Sequence, residues 1–287
     1  MACDQRDIIA SVYNDADFRS FVKTIKDQVI ACGGTLTADP QIDETTVTRP
    51  ASGVWSTDYL FFSTPGTEKL YCQIMFGHGA TTNTPMLALG SGDGTTGAGA
   101  LTGVVCGPWQ ASTAYNKTSG VTLPSLMSMG RGWVHICTRL DNADYNFALL
   151  AAVERTMRDL STPTGDGKWG FGHGGATGMS WRTVPAVGTP PGNSSNKGPW
   201  VDPGYSAAPV VGAKAAMWMG SILCGRHFNV TNMVCYRHAD FGELGPVTYK
   251  VAGPSGDEDH TYMPLGDGLA YPGAIVPANC SLALRWE

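Results

Sequence analysis

In a chain of 287 residues with only 15% charged side chains, 37 glycines and 18 prolines make up roughly 19% of the total, against about 12% in average usage, which favours many turns and excludes a helical bundle. Hydrophobic residues at 43%, with eight tryptophans, ten tyrosines and nine phenylalanines, exclude a disordered chain, because that much apolar area offsets the entropy of ordering. A net charge of −5 argues against nucleic acid as a partner, since affinity there comes from neutralised phosphates, and no apolar run reaches the roughly 18 residues of a membrane span.

The opening residues Met1–Ile9 show neither the basic region nor the apolar run of a signal peptide, so synthesis in the cytoplasm is expected. The first periodic segment is Asp17–Ile30, where Phe18, Phe21, Val22, Ile25, Val29 and Ile30 recur at helical spacing. A helix over about 15–32 is predicted, capped by Asp15 or Asp17 and stopped at Gly33-Gly34. After Pro50 the period becomes two. Trp55, Thr57, Tyr59 and Phe61 alternate with their neighbours, as do Leu70, Cys72, Ile74 and Phe76, and Ser63–Thr67 between them reads as the turn of a hairpin.

Ala88–Gly103, with six glycines in sixteen residues, reads as a loop. Trp133–Leu140 reads as a strand. Ala148–Arg155 has helix-forming composition, but it follows that strand and an Asp141-Asn142 turn, and strand is the reading taken for 147–160. A loop excursion is expected over about 161–212, which holds twelve glycines and seven prolines. Further strands are predicted at Met217–Cys224, Val230–Tyr236, Val247–Ala252 and Ser281–Trp286. Together these give an α+β fold, predominantly antiparallel β, with a sandwich-like sheet, long Gly/Pro loops and an N-terminal amphipathic helix, in one β-rich domain over 1–287.

Chemistry-bearing motifs are sparse. The eight cysteines form no CxxC pair, and Cys72 and Cys137 lie in strand-like apolar runs, as small buried hydrophobes do. Cys3 and Cys280, near the ends, are the candidates for exposure. Cys224, His227, Cys235 and His238 form two C-x2-H pairs, a donor set that tetrahedral zinc accepts. Both halves read as strands, however, and there residues three apart point to opposite faces, so no metal is expected. Gly165–Lys168 fails the phosphate-loop pattern at Thr162 and Trp169, and no helix follows the Gly90–Gly94 run, so no nucleotide cofactor is expected.

His78 and His173 sit between glycines and read as loop histidines. Asp257–His260 offers oxygen ligands but no EF-hand pattern, and reads as a solvated turn. Trp169, Trp181 and Trp200 in the long excursion read as interface anchors, since aromatic residues dominate protein interfaces. No catalytic residue is expected. The rival class is a carbohydrate-binding or carbohydrate-cleaving β domain, in which tryptophans stack on sugars and carboxylate pairs act as acid and base.

The order of segments adds a further expectation. The early helix is followed by Gly53–Phe62, Tyr71–Phe76, Trp133–Ile136 and Asp144–Phe147. The end runs through Phe241-Gly242-Glu243-Leu244-Gly245, Tyr262–Gly268 and Ala283-Leu284-Arg285-Trp286. This pattern resembles virion structural proteins of tailed bacteriophages. The resemblance implies a β-rich subunit in a symmetric ring at the head–tail neck or collar, with tail, baseplate or capsid surface as other positions. Its implied partners are copies of itself and other virion proteins, its implied location is the virion, and it transfers no catalytic residue.

Overall fold

The computed structural model describes residues 2–67, 69–79, 83–104, 106–112, 120–139, 147–155, 168–174, 179–183, 218–221, 233–237, 247–253, 256–264 and 281–286. The first part of the chain forms β1 (Ala2–Ile9), α1 (Asp15–Ala31), β2 (Thr35–Leu36), β3 (Leu60–Ser63), β4 (Tyr71–His78), β5 (Pro85–Gly92), β6 (Gly94–Thr95), β7 (Leu101–Thr102), β8 (Cys106–Ser112), β9 (Thr122–Gly130) and β10 (Trp133–Arg139). The remainder forms β11 (Phe147–Arg155), β12 (Lys168–Gly174), β13 (Met179–Thr183), β14 (Trp218–Ser221), β15 (Met233–Arg237), β16 (Val247–Gly253), β17 (Gly256–Pro264) and β18 (Ser281–Arg285). The fold is α+β and mainly antiparallel β.

Eleven strands make one sheet in the order β1-β9-β10-β11-β12-β8-β5-β4-β3-β2, with β13 pairing β12 off that path. Its described ladders are antiparallel apart from the single Gly174–Ser112 pair between β12 and β8. Five strands form a second sheet, β14-β15-β18-β17-β16, and β6 with β7 forms a small hairpin.

The large sheet cannot be flat. Ten strands at about 4.8 Å spacing would span about 43 Å, whereas the helix is only about 25 Å long. Yet α1 packs against β1 and β9 at one end of the order and against β2 at the other. The sheet therefore curls round the helix, and β11 also approaches β8 and β5, two and three places along. One core fills the concave side, joining Ile8 of β1, Phe18, Phe21, Val22, Ile25 and Val29 of α1, and side chains of β3, β4, β5, β9, β10 and β11.

The helix keeps its predicted span, with two corrections. Its cap is Asn14, whose side chain accepts from the Asp17 N–H (2.9 Å), while Asp17 accepts in return from the Tyr13 N–H (2.9 Å). That reciprocal pair satisfies two N-terminal donors at once. The buried stripe also differs by one residue. Ile30 is 51% exposed and Gln28 is buried, because Gln28 continues the line of Phe21 and Ile25 whereas Ile30 turns off it. The stop falls at Gly33 as predicted. At φ +80° Gly33 donates to Ile30 O, and Gly34 donates to Val29 O, a left-handed close that disfavours any residue with a Cβ.

The expected hairpin forms between β3 and β4, but Val54–Tyr59 is not strand. Ser56 bends the chain there, its hydroxyl donating to Asp58 O and accepting from Phe76 N–H, and Trp55 makes only an isolated bridge to Gly77. Ala88–Gly103 is not a plain loop. Residues 85–92 form β5, buried along its whole length, and Gly92 lies so close to the Thr102 carbonyl that a Cβ would stand 2.4 Å from it. Within 161–212, β12 and β13 are strands, and the rest of that excursion lies outside the described residues. Phe147–Arg155 is strand, as taken; 156–160 lies outside the described residues. The helix is not the first element, since β1 precedes it.

Candidate functional site

Antiparallel register puts directly opposed residues on the same face of a sheet. Across β10, β11, β12 and β13 this gives two neighbouring rows. One runs Trp133–Glu154–Trp169–Thr183 and the other His135–Ala152–Phe171–Trp181. The alternate positions Ala151 and Val153 belong to the main core, so these rows occupy the opposite face. At the β10 end that face is covered. Trp133 and His135 are buried with ring centroids 4.8 Å apart, and the hydroxyl of Ser128, the register partner of His135, donates to the Arg285 carbonyl of β18. The second sheet thus meets the first over this face. Two of the three predicted interface tryptophans, Trp169 and Trp181, have positions in the rows; Trp200 lies outside the described residues.

Among the described residues the other predicted groups are not brought together. Cys235 is in β15 opposite Gly220 and Leu282, while Cys224, His227 and His238 lie outside the described residues. Among the described residues no group of three or more His, Cys, Asp or Glu side chains is placed to hold a metal. Asp257–His260 is not a turn but part of β17, paired with β16. In a strand, alternate positions fall on opposite faces, so positions 257 and 259 share one face and 258 and 260 the other. Asp259 is exposed, and its register partner is Lys250.

Cys3, Cys32, Cys72 and Cys137 are thiols rather than disulfides. Cys32, Cys72 and Cys137 are buried, and Cys3 is half-buried. Burial, reinforced by Asp4, pushes the Cys32 thiol up to about 12, which keeps it a non-nucleophilic core group. His173 is a strand residue in β12, opposite Leu150 and Met179, not a loop histidine.

His78 is also misplaced by its glycine neighbours. It ends β4, is fully buried, and belongs to a polar cluster that the sequence did not reveal. The Arg49 Nη2 donates to Asn83 Oδ1 (2.5 Å) and lies 3.3 Å from His78 Nδ1; His78 Nε2 lies 2.9 Å from Pro50 O. Asp15 Oδ1 accepts from the Arg49 backbone N–H, and Asn83 O accepts from Val12 N–H, so the cluster joins β4 to both flanks of the helix start. Asn83 adopts φ +50°, a conformation Asn tolerates better than most residues.

A second missed cluster surrounds buried Asp39. Its carboxylate accepts from Thr37 Oγ1 (2.7 Å) and from Gly99 N–H (2.9 Å), clasping the β6–β7 hairpin. Burial works to raise its carboxyl, but hydrogen bonds from Thr95, Thr37, Gly99 and Gly97 outweigh it and hold it below the ordinary 3.8. The clasp therefore stabilises the fold above that ordinary value and is lost as pH falls through the lower folded one. Asp39→Ala is expected to speed hydrogen exchange of the Gly99 amide roughly tenfold, the scale of losing a charge-assisted bond. Unchanged exchange there refutes the clasp.

The chain matches no protein-family model, no curated protein and no solved structure. No helix among the described residues is long and apolar enough to cross a membrane.

Proposed function

We propose that this chain is a non-enzymatic structural subunit of a tailed-bacteriophage particle, placed in the head–tail neck or collar. There it contacts copies of itself and other virion proteins in a ring. The observation that carries this reading is the pair of aromatic rows ending on β12 and β13. They bring the Trp169, Phe171 and Trp181 positions together beside β13, which has one neighbour, β12, among the described strands. A strand edge next to aromatic positions suits joining to another chain, by backbone pairing at the edge and apolar burial beside it. Low charge supports the same reading, because few ions need be stripped of water when such surfaces close.

The polar clusters around Asp39 and His78 agree with a structural role. The contacts described for them, side chain to side chain as in Arg49–Asn83 and Thr37–Asp39 and side chain to backbone as in Asp39–Gly99, tie loops and strand ends to one another, which is how a fold is held. The test is the protein content of purified particles. The chain is expected in every particle at a constant multiple-copy number, and its absence from washed particles overturns the reading.

A further inference from the structure

We infer that the end of β4 is a proton-driven latch, in which His78 exchanges one partner for another and thereby frees the Arg49 guanidinium beside the helix start. An arginine only donates, so the 3.3 Å contact from Arg49 Nη2 is a hydrogen bond when His78 Nδ1 accepts. The imidazole is then neutral with its proton on Nε2, where it donates to Pro50 O at 2.9 Å. The second Nη2 proton is held by Asn83 Oδ1. Of these contacts, the one between Arg49 and the ring depends on Nδ1 being bare.

A proton taken up by His78 goes to Nδ1, since Nε2 already carries one. Nδ1–H faces two groups. One is the Arg49 guanidinium, now a like charge and a donor meeting a donor. The other is the Gly79 carbonyl, 3.2 Å away and an acceptor. The protonated ring thus bonds Pro50 O and Gly79 O together, and the Arg49 guanidinium loses His78 as a partner and is repelled, straining its remaining bond to Asn83. No atom other than the proton is exchanged, and it comes from solvent.

The charged surroundings leave this pair in control. From the 42–59 segment the group in contact is Arg49, and Asp58 on the same segment is exposed. From α1, Asp15 is engaged with the Arg49 backbone N–H and Asp17 with Tyr13 N–H. From β5 the register partner is Pro85, and residues 80–82 are Ala, Thr and Thr by sequence. Release of Arg49 slackens Asn83, whose carbonyl holds Val12 N–H at the entry to α1. Proton uptake at one buried ring is thereby coupled to the helix start.

The test is long-range nitrogen–proton NMR on the full chain labelled at its six histidines, with amide spectra recorded across the same titration. At pH 8 His78 is expected as the tautomer with its proton on Nε2. On acidification the Asn83 side-chain amide and the Val12 amide are expected to shift with the same midpoint as the ring. In Arg49→Met that joint movement is expected to disappear. A proton on Nδ1 at pH 8, or Asn83 and Val12 signals that stay flat while His78 protonates, overturns the latch. The wild-type measurement decides the matter even where the variant does not fold.

Discussion

Phe21→Ala is expected to lower the free energy of unfolding by about 3–5 kcal/mol, the range for truncating a fully buried aromatic side chain. Phe21 is 0% exposed and stands where the helix meets the inside of the curl. Its ring lies edge-on to Phe76 of β4, centroids 5.3 Å apart at 83°, and near Phe18 at 6.5 Å. Truncation removes both edge-to-face contacts and opens a cavity between α1 and β4 that neighbouring strands, already paired, cannot readily fill. Urea denaturation monitored by circular dichroism reads the change as a lowered midpoint with a similar slope. A loss under about 1 kcal/mol would mean that the helix does not plug the sheet.

The second large effect concerns a polar residue. Gln28 is buried on the helix face, donating from Nε2 to Ser125 O (3.0 Å) and accepting at Oε1 from the Ser125 hydroxyl (3.0 Å). Nε2 also lies 3.4 Å from Asp4 O, so one side chain ties α1 to both β9 and β1. Gln28→Met keeps the volume but strands the Ser125 groups, at an expected cost of about 1–3 kcal/mol. Adding Ser125→Ala removes the stranded hydroxyl, so the double variant is expected to lose less than the sum of the two single losses. Strict additivity in that cycle would show that the two side chains do not act as a pair.

The parts of this fold that could be read from sequence share a physical property: one face dry and one face less so. Helix α1 shows it at a period near 3.6, and β4 shows it as alternation between buried and half-buried residues. The strands that escaped notice lack that contrast. In β5 every residue of Pro85–Gly92 is buried, and its small side chains and glycines look like a loop when they are in fact pressed between neighbours. β9 buries Ser125 and Ser128 beside Leu126 and Met127, so its polar residues give no sign of a wet face. β1 carries Asp4, Arg6 and Asp7 and fully buries Ile8, and its strand character comes from pairing with β9. β17 carries three acidic residues directly after its first glycine and is held by its ladders to β16 and β18.

The candidate site was legible to a similar degree. Tryptophans at 169 and 181 drew attention as aromatic residues in a glycine-rich stretch, but only strand register puts them in rows with Trp133 and Phe171. The Arg49–His78–Asn83 cluster had no signal at all. Its members lie up to 34 residues apart, and the flanking glycines of His78 suggest a loop. Gly77 is instead the place where Trp55 and Val54 come close, and a Cβ there would stand 3.0 Å from the Val54 carbonyl. Glycine in that strand marks proximity to another segment.

Counting this chain in purified phage particles addresses the assembly role most directly, by quantitative mass spectrometry against the major capsid protein, with antibody labelling in electron micrographs. A neck or collar subunit is expected at a fixed ratio equivalent to one ring per particle, with label at the junction of head and tail. Particles that lack the chain, or carry it in amounts that vary from one preparation to the next, would contradict that role.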